Sequence, residues 1–332
     1  MYCKVIIIAV VCANLVWADT SNGARFMTLS AGSRYLGMGE VSVTSVSDIF
    51  SISSNPASLG RLKSSQLGLV YYKTLEDSFF AYMGYAFPLS KTDIIGCSLS
   101  YYDGGNFEYN SVEGVTSNFK AERDILLTFS AARSFEGGRQ AGISLKLIRA
   151  ELVEQYTALA FAVDAGVNYR ISEKETWRLI EGLTGLKIEN DEIWLGINVR
   201  NLGTKLKFIN EGDLLPAQLS TGIAYRFEAG RDKKFEVAFD LCKPLDSYMR
   251  MHFGLEVVID DMFAIRGGLK TGSTGLDLTA GAGFKLEALT IDYSAAFFTS
   301  GWLNHMVSLV YSFEEKGRQA KRPPSNYNKY RK

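Results

Sequence analysis

The feature that most constrains the fold is a long series of segments in which apolar and polar residues alternate. From Leu159 to Tyr169, apolar residues at every second position oppose Ala, Asp, Gly and Asn residues on the other face. Residues 235–242 and 249–259 repeat the pattern. A period of two predicts β-strands, because successive side chains of a strand point to opposite faces. Fourteen strands are predicted, at 65–73, 77–88, 92–103, 121–134, 139–151, 156–170, 191–202, 216–228, 233–243, 248–259, 262–271, 275–286, 288–297 and 303–313.

A soluble β-sandwich and a membrane barrel both contain alternating strands, and strand length separates them. These strands run to about ten residues, which crosses a bilayer with tilt, whereas globular strands average about five or six. Lipid offers no hydrogen-bond partner, so strands cross it only as a closed barrel. Aromatic residues also gather near strand ends, as girdles at the membrane interfaces would. They are Tyr71, Tyr72, Tyr101, Tyr102, Tyr169, Tyr225, Phe227, Trp302, Tyr311 and Phe313. We therefore predict an all-β fold, a transmembrane antiparallel β-barrel of about fourteen strands.

The lengths of the connections predict which end of the barrel faces outward. The links at 104–120 and 203–215 are long, as extracellular loops are. An even strand number places both termini on the periplasmic side. Residues 172–190 are an exception there, since their core predicts a short amphipathic helix, either packed beneath the barrel mouth or docking a periplasmic partner. The tight, periplasmic links are those near 89–91, 135–138, 229–232, 260–261 and 287.

The segments near the two ends of the chain are typical of a protein exported to the outer membrane. Residues 1–18 are typical of a signal peptide, with Lys4 before an apolar run and cleavage after Ala18. The alternating last strand closes on Phe313, which resembles the signal read by the barrel-insertion machinery. Residues 314–332 are basic and poor in apolar residues, which predicts a disordered periplasmic tail. That tail is either simply solvated or in contact with anionic lipid headgroups or a partner.

Between leader and strands lies a segment rich in small and hydroxylated residues. It contains a Gly37-Met38-Gly39 turn, where glycine permits a tight backbone. It also contains Asn55-Pro56-Ala57, a turn signal because proline moves the preceding residue out of the helical region. From these residues alone, the segment is an irregular, packed element ahead of a β-domain.

This pattern resembles the PorV/PorQ family of outer-membrane proteins, which is similar to the FadL-type transporters of hydrophobic solutes. A second match spans 199–227, where NLG and LP-x-x-L-x-x-G-x-AYRF occur. The resemblance implies an N-terminal hatch, or plug, at 19–63 inside a barrel at 64–313. One departure is Ser47-Asp48, where family members often carry two adjacent acids. The residues that match the hatch motif are Arg34, Leu36, Gly37, Met38, Gly39, Asp48, Asn55, Pro56, Ala57 and Leu59.

Charged residues in the lumen-facing phase of the strands are the other candidate site. Buried charges need partners, so they are interpreted as a paired network that holds the hatch. Alternatively, some of the arginines guide an anionic headgroup such as a fatty-acid carboxylate. The residues singled out are Arg200, Arg226, Asp240, Arg250, Glu256 and Arg266.

No constellation predicts catalysis. His305 and Ser308 are three residues apart on one strand, so alternation points them to opposite faces. Cys97 and Cys242 lack the spacing of a metal or redox motif and are interpreted as wall residues. We therefore predict a protein without enzymatic activity, metal or cofactor. Lys and Arg number 36, as do Asp and Glu, and this zero net charge disfavours nucleic-acid binding.

The resemblance leaves two functions open for an outer-membrane protein of a diderm bacterium. The first is passage of hydrophobic, fatty-acid-like small molecules, which predicts a hydrophobic pocket lined by Leu36, Met38 and Phe50. The alternative is an accessory barrel of a type IX secretion system that engages secreted proteins at the cell surface, which predicts exposed apolar loops. Predicted partners are outer-membrane lipid, a hydrophobic small molecule, secretion-system proteins and the barrel-insertion machinery.

Overall fold

The computed structural model describes residues 23–74, 77–110, 116–171, 188–230, 232–271, 275–299 and 301–313. The predicted leader at 1–18, the core of the predicted helix at 172–187 and the basic tail at 314–332 lie outside these residues. In chain order the strands are β1 (Gln66–Lys73), β2 (Phe79–Pro88), β3 (Asp93–Asp103), β4 (Asn106–Asn110), β5 (Thr116–Lys120), β6 (Glu122–Phe135), β7 (Arg139–Leu152), β8 (Tyr156–Ile171), β9 (Ile188–Gly203), β10 (Leu206–Lys207), β11 (Gly212–Asp213), β12 (Gln218–Ala229), β13 (Lys233–Pro244), β14 (Arg250–Ile259), β15 (Phe263–Thr271), β16 (Leu276–Leu286), β17 (Leu289–Phe297) and β18 (Leu303–Ser312).

Fourteen of these strands form one closed antiparallel barrel, which confirms the predicted fold class. The wall runs from β1 through β2, β3, β6, β7, β8, β9 and β12 to β18, and β18 pairs with β1 from Gln66↔Ser312 to Lys73↔His305. Closure leaves no edge strand in the wall, so its main-chain donors and acceptors are paired between neighbours. The strand bounds agree with the predicted ones within three residues.

The burial pattern is inverted relative to a soluble protein. In β8, Leu159 and Phe161 are 61% and 62% exposed on the outside, whereas Ala160 and Asp164 are fully buried inside. The apolar face therefore meets lipid and the small or polar face meets the interior, as a barrel in a membrane requires. Within the described ranges, no helix is long and apolar enough to span a membrane.

The two ends of the barrel differ in their connections. The turn end carries short hairpin links such as the one between β14 and β15. There Asp260 and Asp261 both take positive φ, 55° and 56°, as a two-residue type I′ turn demands. The loop end carries the longer links, and two of them form hairpins that the sequence pattern did not predict, β4–β5 and β10–β11.

The N-terminal segment (residues 23–62) lies within the barrel. It contains one helical turn, α1 (Ser33–Gly37), and three 3₁₀ turns at Arg25–Thr28, Ile49–Ser53 and Pro56–Arg61. It meets the wall on opposite sides of the barrel, because α1 packs against β15–β18 and the turn at Pro56–Arg61 packs against β6–β8. Many of the largest fully buried side chains belong to it: Tyr35, Leu36, Met38, Val41, Val43, Ile49, Phe50, Ile52 and Leu59. Its role as a hatch, and the boundaries assigned to it, stay predictions.

Candidate functional site

The candidate site is the interface between the N-terminal segment and the barrel wall, and the Gly-Met-Gly turn forms one part of it. Gly39 adopts φ +69°, and its N–H donates to Thr279 Oγ1 at 2.9 Å. The same hydroxyl donates to Gly37 O at 3.2 Å, so one threonine of β16 holds both glycines. A β-carbon on Gly39 would lie 2.5 Å from Phe253 O. Glycine is therefore required for both conformation and space. Met38 is fully buried between them.

The Asn-Pro-Ala turn forms a second part. Asn55 Oδ1 accepts a hydrogen bond from Ala57 N (3.1 Å) and so caps the turn at Pro56–Arg61. Asn55 Nδ2 donates to Val43 O (2.7 Å) and to Asn168 Oδ1 on β8 (3.0 Å). This fully buried amide thus joins two stretches of the N-terminal segment to the wall.

Arg34 is the main ionic link between the N-terminal segment and the wall. Its Nη2 lies 2.6 Å from Glu256 Oε2 and 3.0 Å from Glu236 Oε2. Its Nη1 donates to Ser45 O at 2.9 Å. Burial by itself lowers the pKa of Arg34, but the two carboxylates outweigh it and hold that pKa above its usual value.

Further ion pairs extend from these two acids along the wall. Arg226 Nε lies 2.7 Å from Glu236 Oε2, and Arg266 contacts both Glu256 Oε1 (3.0 Å) and Asp292 Oδ1 (2.6 Å). Together with Arg34, three guanidinium groups balance three carboxylates. The network joins Arg34 of the N-terminal segment to lumen-facing charges of the wall, and its role in holding that segment stays a prediction.

The remaining lumen charges that the sequence singled out lie elsewhere. Asp240 Oδ2 accepts from the N–H groups of Ser42 (2.6 Å) and Val43 (2.9 Å), which ties a second stretch of the N-terminal segment to β13. Arg200 Nη1 donates to Ser53 O at 3.3 Å. Arg250 joins no network with Arg34 and instead borders a small polar cavity.

Asp48 and Tyr35 form a buried pair within the N-terminal segment. The Tyr35 hydroxyl donates a short hydrogen bond to Asp48 Oδ1, and Phe50 N donates to the same oxygen at 3.0 Å. Burial raises the pKa of Asp48, despite these hydrogen bonds. Burial and the neighbouring carboxylate raise the pKa of Tyr35. In this chain the single acid Asp48 fulfils this role.

Two contacts were missed by sequence reasoning. Arg61 lies over the ring of Trp194, 4.7 Å from its centroid, a cation–π contact between the N-terminal segment and β9. Glu40 pairs with Lys270 of β15 at 2.8 Å. The sequence contained a signal for the Glu40–Lys270 pair, because Glu40 directly follows the glycine turn and strand alternation places Lys270 on the same inward face as Arg266.

Comparison with known proteins settles the family. The sequence model of the family described as "Type IX secretion system protein PorV" matches residues 18–247, more than half of the chain. The chain belongs to the PorV family. The resemblance drawn from the hatch motif is thereby confirmed. A search of curated protein sequences found no match.

Solved structures similar to this PorV-family chain include FadL-type barrels. The toluene transporter TodX of Pseudomonas putida aligns with a TM-score of 0.58 at 14% identity, over 86% of this chain and 98% of TodX. The toluene transporter TbuX of Ralstonia pickettii gives 0.56 at 13%, over 86% and 99%. A FadL homologue of Pseudomonas aeruginosa gives 0.52 at 10%, over 87% and 99%. At these identities the likeness shows the fold, and a barrel of this type is an outer-membrane protein.

The hydrophobic pocket predicted for solute passage is absent from its predicted position. Leu36 and Met38 expose none of their surface and Phe50 exposes 1%, so no space for a ligand borders them. Phe50 packs against Tyr35 and Tyr82 with ring centroids 6.3 and 5.6 Å apart. The prediction is wrong because these apolar side chains fill the interior of the barrel instead of lining a cavity.

The loop end of this PorV-family barrel combines a filled interior with exposed apolar side chains. Inside, Phe26 of the N-terminal segment stacks on Tyr102 of β3 with centroids 6.2 Å apart. Leu206 of the β10–β11 hairpin is fully buried and Leu215 after it nearly so, in the same apolar cluster. Outside, apolar side chains of the loops are exposed: Phe107, Ile209, Leu214, Leu245, Tyr248 and Trp302.

The groups considered for chemistry are separated. His305 is exposed and hydrogen-bonded to the Tyr293 hydroxyl (2.6 Å), whereas Ser308 is buried and accepts from Ser33 N (3.1 Å), as strand alternation predicts. Cys97 lies on the exposed face of β3 and Cys242 is buried on β13, and both are free thiols. Among the residues that the structure describes, no three His, Cys, Asp or Glu side chains are grouped so as to hold a metal ion.

Proposed function

We propose that this chain serves type IX protein secretion as an outer-membrane barrel whose loop end engages secreted proteins at the cell surface. The family supports the system, since its members are described as type IX secretion proteins. The observation that carries the proposal is the set of exposed apolar side chains at the loop end, led by Tyr248 (73% exposed) and Ile209 (62%). Exposed apolar groups beyond the lipid-facing wall favour contact with another protein.

The filled interior supports the same function. A role at the cell surface needs no route through the barrel, and the N-terminal segment occupies the lumen with its large apolar side chains buried and Arg34 paired with Glu236 and Glu256. Contact with a cargo protein at the loops would leave this packing intact. The barrel then acts as a rigid platform, and its loops select the partner.

The test exchanges exposed apolar side chains for polar ones in cells that secrete through the type IX system. Leu245→Ser combined with Tyr248→Ser changes one loop between β13 and β14. We expect the amount of cargo released or anchored at the surface to fall severalfold, with unchanged barrel in the outer membrane. The matched control is Leu286→Ser, the same change on a 57% exposed leucine at the turn end. Normal secretion by the double variant would refute engagement through this loop.

Passage of hydrophobic small molecules is the second candidate. It is favoured by the FadL-type fold and by the apolar cluster inside the barrel, to which Phe26 and Leu206 belong and against which Tyr102 packs. TodX and TbuX of this fold are toluene transporters. Uptake of a fatty acid or toluene into vesicles containing the purified protein tests it, together with extraction of bound lipid from the protein. Uptake no faster than into empty vesicles would exclude this function.

We also propose that the chain is exported with its leader removed after Ala18 and catalyses no reaction. The apolar run before Ala18 supports the first point, and the separation of His305 from Ser308 supports the second. N-terminal sequencing of protein taken from outer membranes should begin at Asp19. A start at Met1 would contradict removal of the leader.

A further inference from the structure

We propose that a small monovalent anion, of the size of a halide or formate, binds in a cavity between the N-terminal segment and strands β9, β12, β13 and β14. The cavity measures about 40 Å³. One water needs about 10–15 Å³ by the same measure, so the space holds about three waters or one small anion. It is too small for an acyl chain. Residues that line it include Glu40, Arg200, Gln218, Cys242, Arg250 and His252.

The charges around this cavity are unbalanced. Arg200 and Arg250 border it, and among the described residues neither forms an ion pair with a carboxylate. Glu40 also borders it, but its carboxylate is held by Lys270 at 2.8 Å. With Lys270 counted beside its partner, Arg200, Arg250 and Lys270 face the one carboxylate of Glu40 when His252 is neutral. Adding the nearby Asp240, whose carboxylate accepts two backbone N–H groups of the N-terminal segment, still leaves a positive excess. Arg200 and Arg250 are both half-buried, and a cavity bordered by an excess of one sign of charge concentrates ions of the opposite sign.

The cavity is also bordered by polar atoms that lack partners. His252 is 8% exposed, and its Nδ1 makes no hydrogen bond among the described residues. Arg200 Nε is buried without a partner as well. Arg200 Nε is a donor, and His252 Nδ1 is one in the tautomer that carries its proton on that atom. Buried donors are nearly always satisfied, and leaving them unsatisfied is unfavourable. Water could accept these hydrogen bonds, but an anion accepts them and also neutralises the excess charge. The combination points to an anion and is independent of the proposed role in secretion.

The first test locates the ion. Crystals of the full chain are grown in sodium bromide, and anomalous scattering is measured at the bromine edge. We expect an anomalous peak within the cavity, between Arg200, Arg250 and His252. Bromide peaks at the outer surface alone would overturn the proposal.

The second test measures the effect of the ion on stability. The melting temperature of the detergent-solubilised protein is compared in bromide and in gluconate at equal ionic strength, because gluconate is too large for the cavity. We expect a higher melting temperature in bromide for the wild type. Gln218→Glu places a carboxylate in the cavity and should abolish the difference while raising the melting temperature in gluconate. Arg250→Gln should abolish the difference by removing charge.

The matched control is Arg149→Gln, the same change on an arginine exposed at the outer face of β7. This variant should keep the wild-type difference between bromide and gluconate. Equal melting temperatures of the wild type in the two salts would refute the site. A difference that persists in Gln218→Glu would refute it equally, because the ion would then bind elsewhere.

Discussion

Replacement of Arg34 by methionine tests whether the charge network holds the N-terminal segment in the barrel. The substitution removes contacts of 2.6 and 3.0 Å to Glu256 and Glu236 and a hydrogen bond of 2.9 Å to Ser45 O. Breaking a buried ion pair costs about 3–5 kcal/mol. Each acid keeps one other arginine, so the lower end applies, and we expect a loss of about 3 kcal/mol. The excess negative charge left behind accounts for most of it.

The contribution of the excess negative charge is tested by a double-mutant cycle. Glu256→Gln added to Arg34→Met removes the uncompensated charge, so the double variant should lose less than the sum of the single losses, by about 2 kcal/mol. The assay is equilibrium urea unfolding in lipid vesicles, followed by tryptophan fluorescence and analysed by linear extrapolation.

The control for this cycle is Arg149→Met, because the side chain of Arg149 is 46% exposed and pairs with Glu151 at the surface. We expect a change within about 0.5 kcal/mol there. The reasoning is refuted if Arg34→Met is as stable as this control. Strict additivity with Glu256→Gln would show that the two side chains do not interact.

The other predictions concern the turns and the buried acid. Asn55→Ala should lower the free energy of unfolding by about 2–3 kcal/mol, because it removes the cap and the donor to Val43 O. It should also raise leakage of small solutes through reconstituted vesicles, and Asn55→Asp, which keeps the cap, should leak less. Unchanged permeability of Asn55→Ala would count against a plugging role. Gly268→Ala should destabilise by about 3 kcal/mol or block folding, since its β-carbon would lie 2.0 Å from Gly39 N, whereas Gly267→Ala has no atom within 4 Å and should be neutral in the same urea assay. Because burial raises the pKa of Asp48, the folded protein holds that proton more tightly than the unfolded chain; its contribution to stability is present below about pH 4 and lost as the pH rises through the raised pKa. The free energy of unfolding of the wild type relative to Asp48→Asn should therefore increase on acidification, and the opposite trend would contradict the assignment.

The wall was predictable from the sequence because lipid imposes one rule on every strand. Strand β8 was predicted at 156–170 and is observed at Tyr156–Ile171, since each lipid-facing position had to be apolar and each inner one small or polar. The hairpins β4–β5 and β10–β11 were not predicted, because they lie beyond the bilayer, where no such rule acts. Strand β10 has only two residues, too few for any period to appear.

The interior was predictable only in part. That lumen charges would pair follows from the free energy of burying a charge, but the partners do not, since Arg34 and Glu256 are 222 residues apart in the chain. Alternation predicts whether a side chain faces the lumen. It does not predict the position of that side chain along the barrel axis, and this position decides which residue across the lumen it contacts. Apolar residues raise the same difficulty: Leu36 and Phe50 in the N-terminal segment fit a pocket lining and a packed interior equally well, and only the structure distinguishes the two.

The pairing of β18 with β1 has a consequence for biogenesis. The first and last strands of the wall are neighbours, so every shorter product of synthesis is an open sheet with two unsatisfied borders. Such an intermediate has no stable state in hydrocarbon. Synthesis of the final strand β18, roughly two hundred and fifty residues after β1 begins, therefore has to be complete before the chain can form a closed barrel in the bilayer.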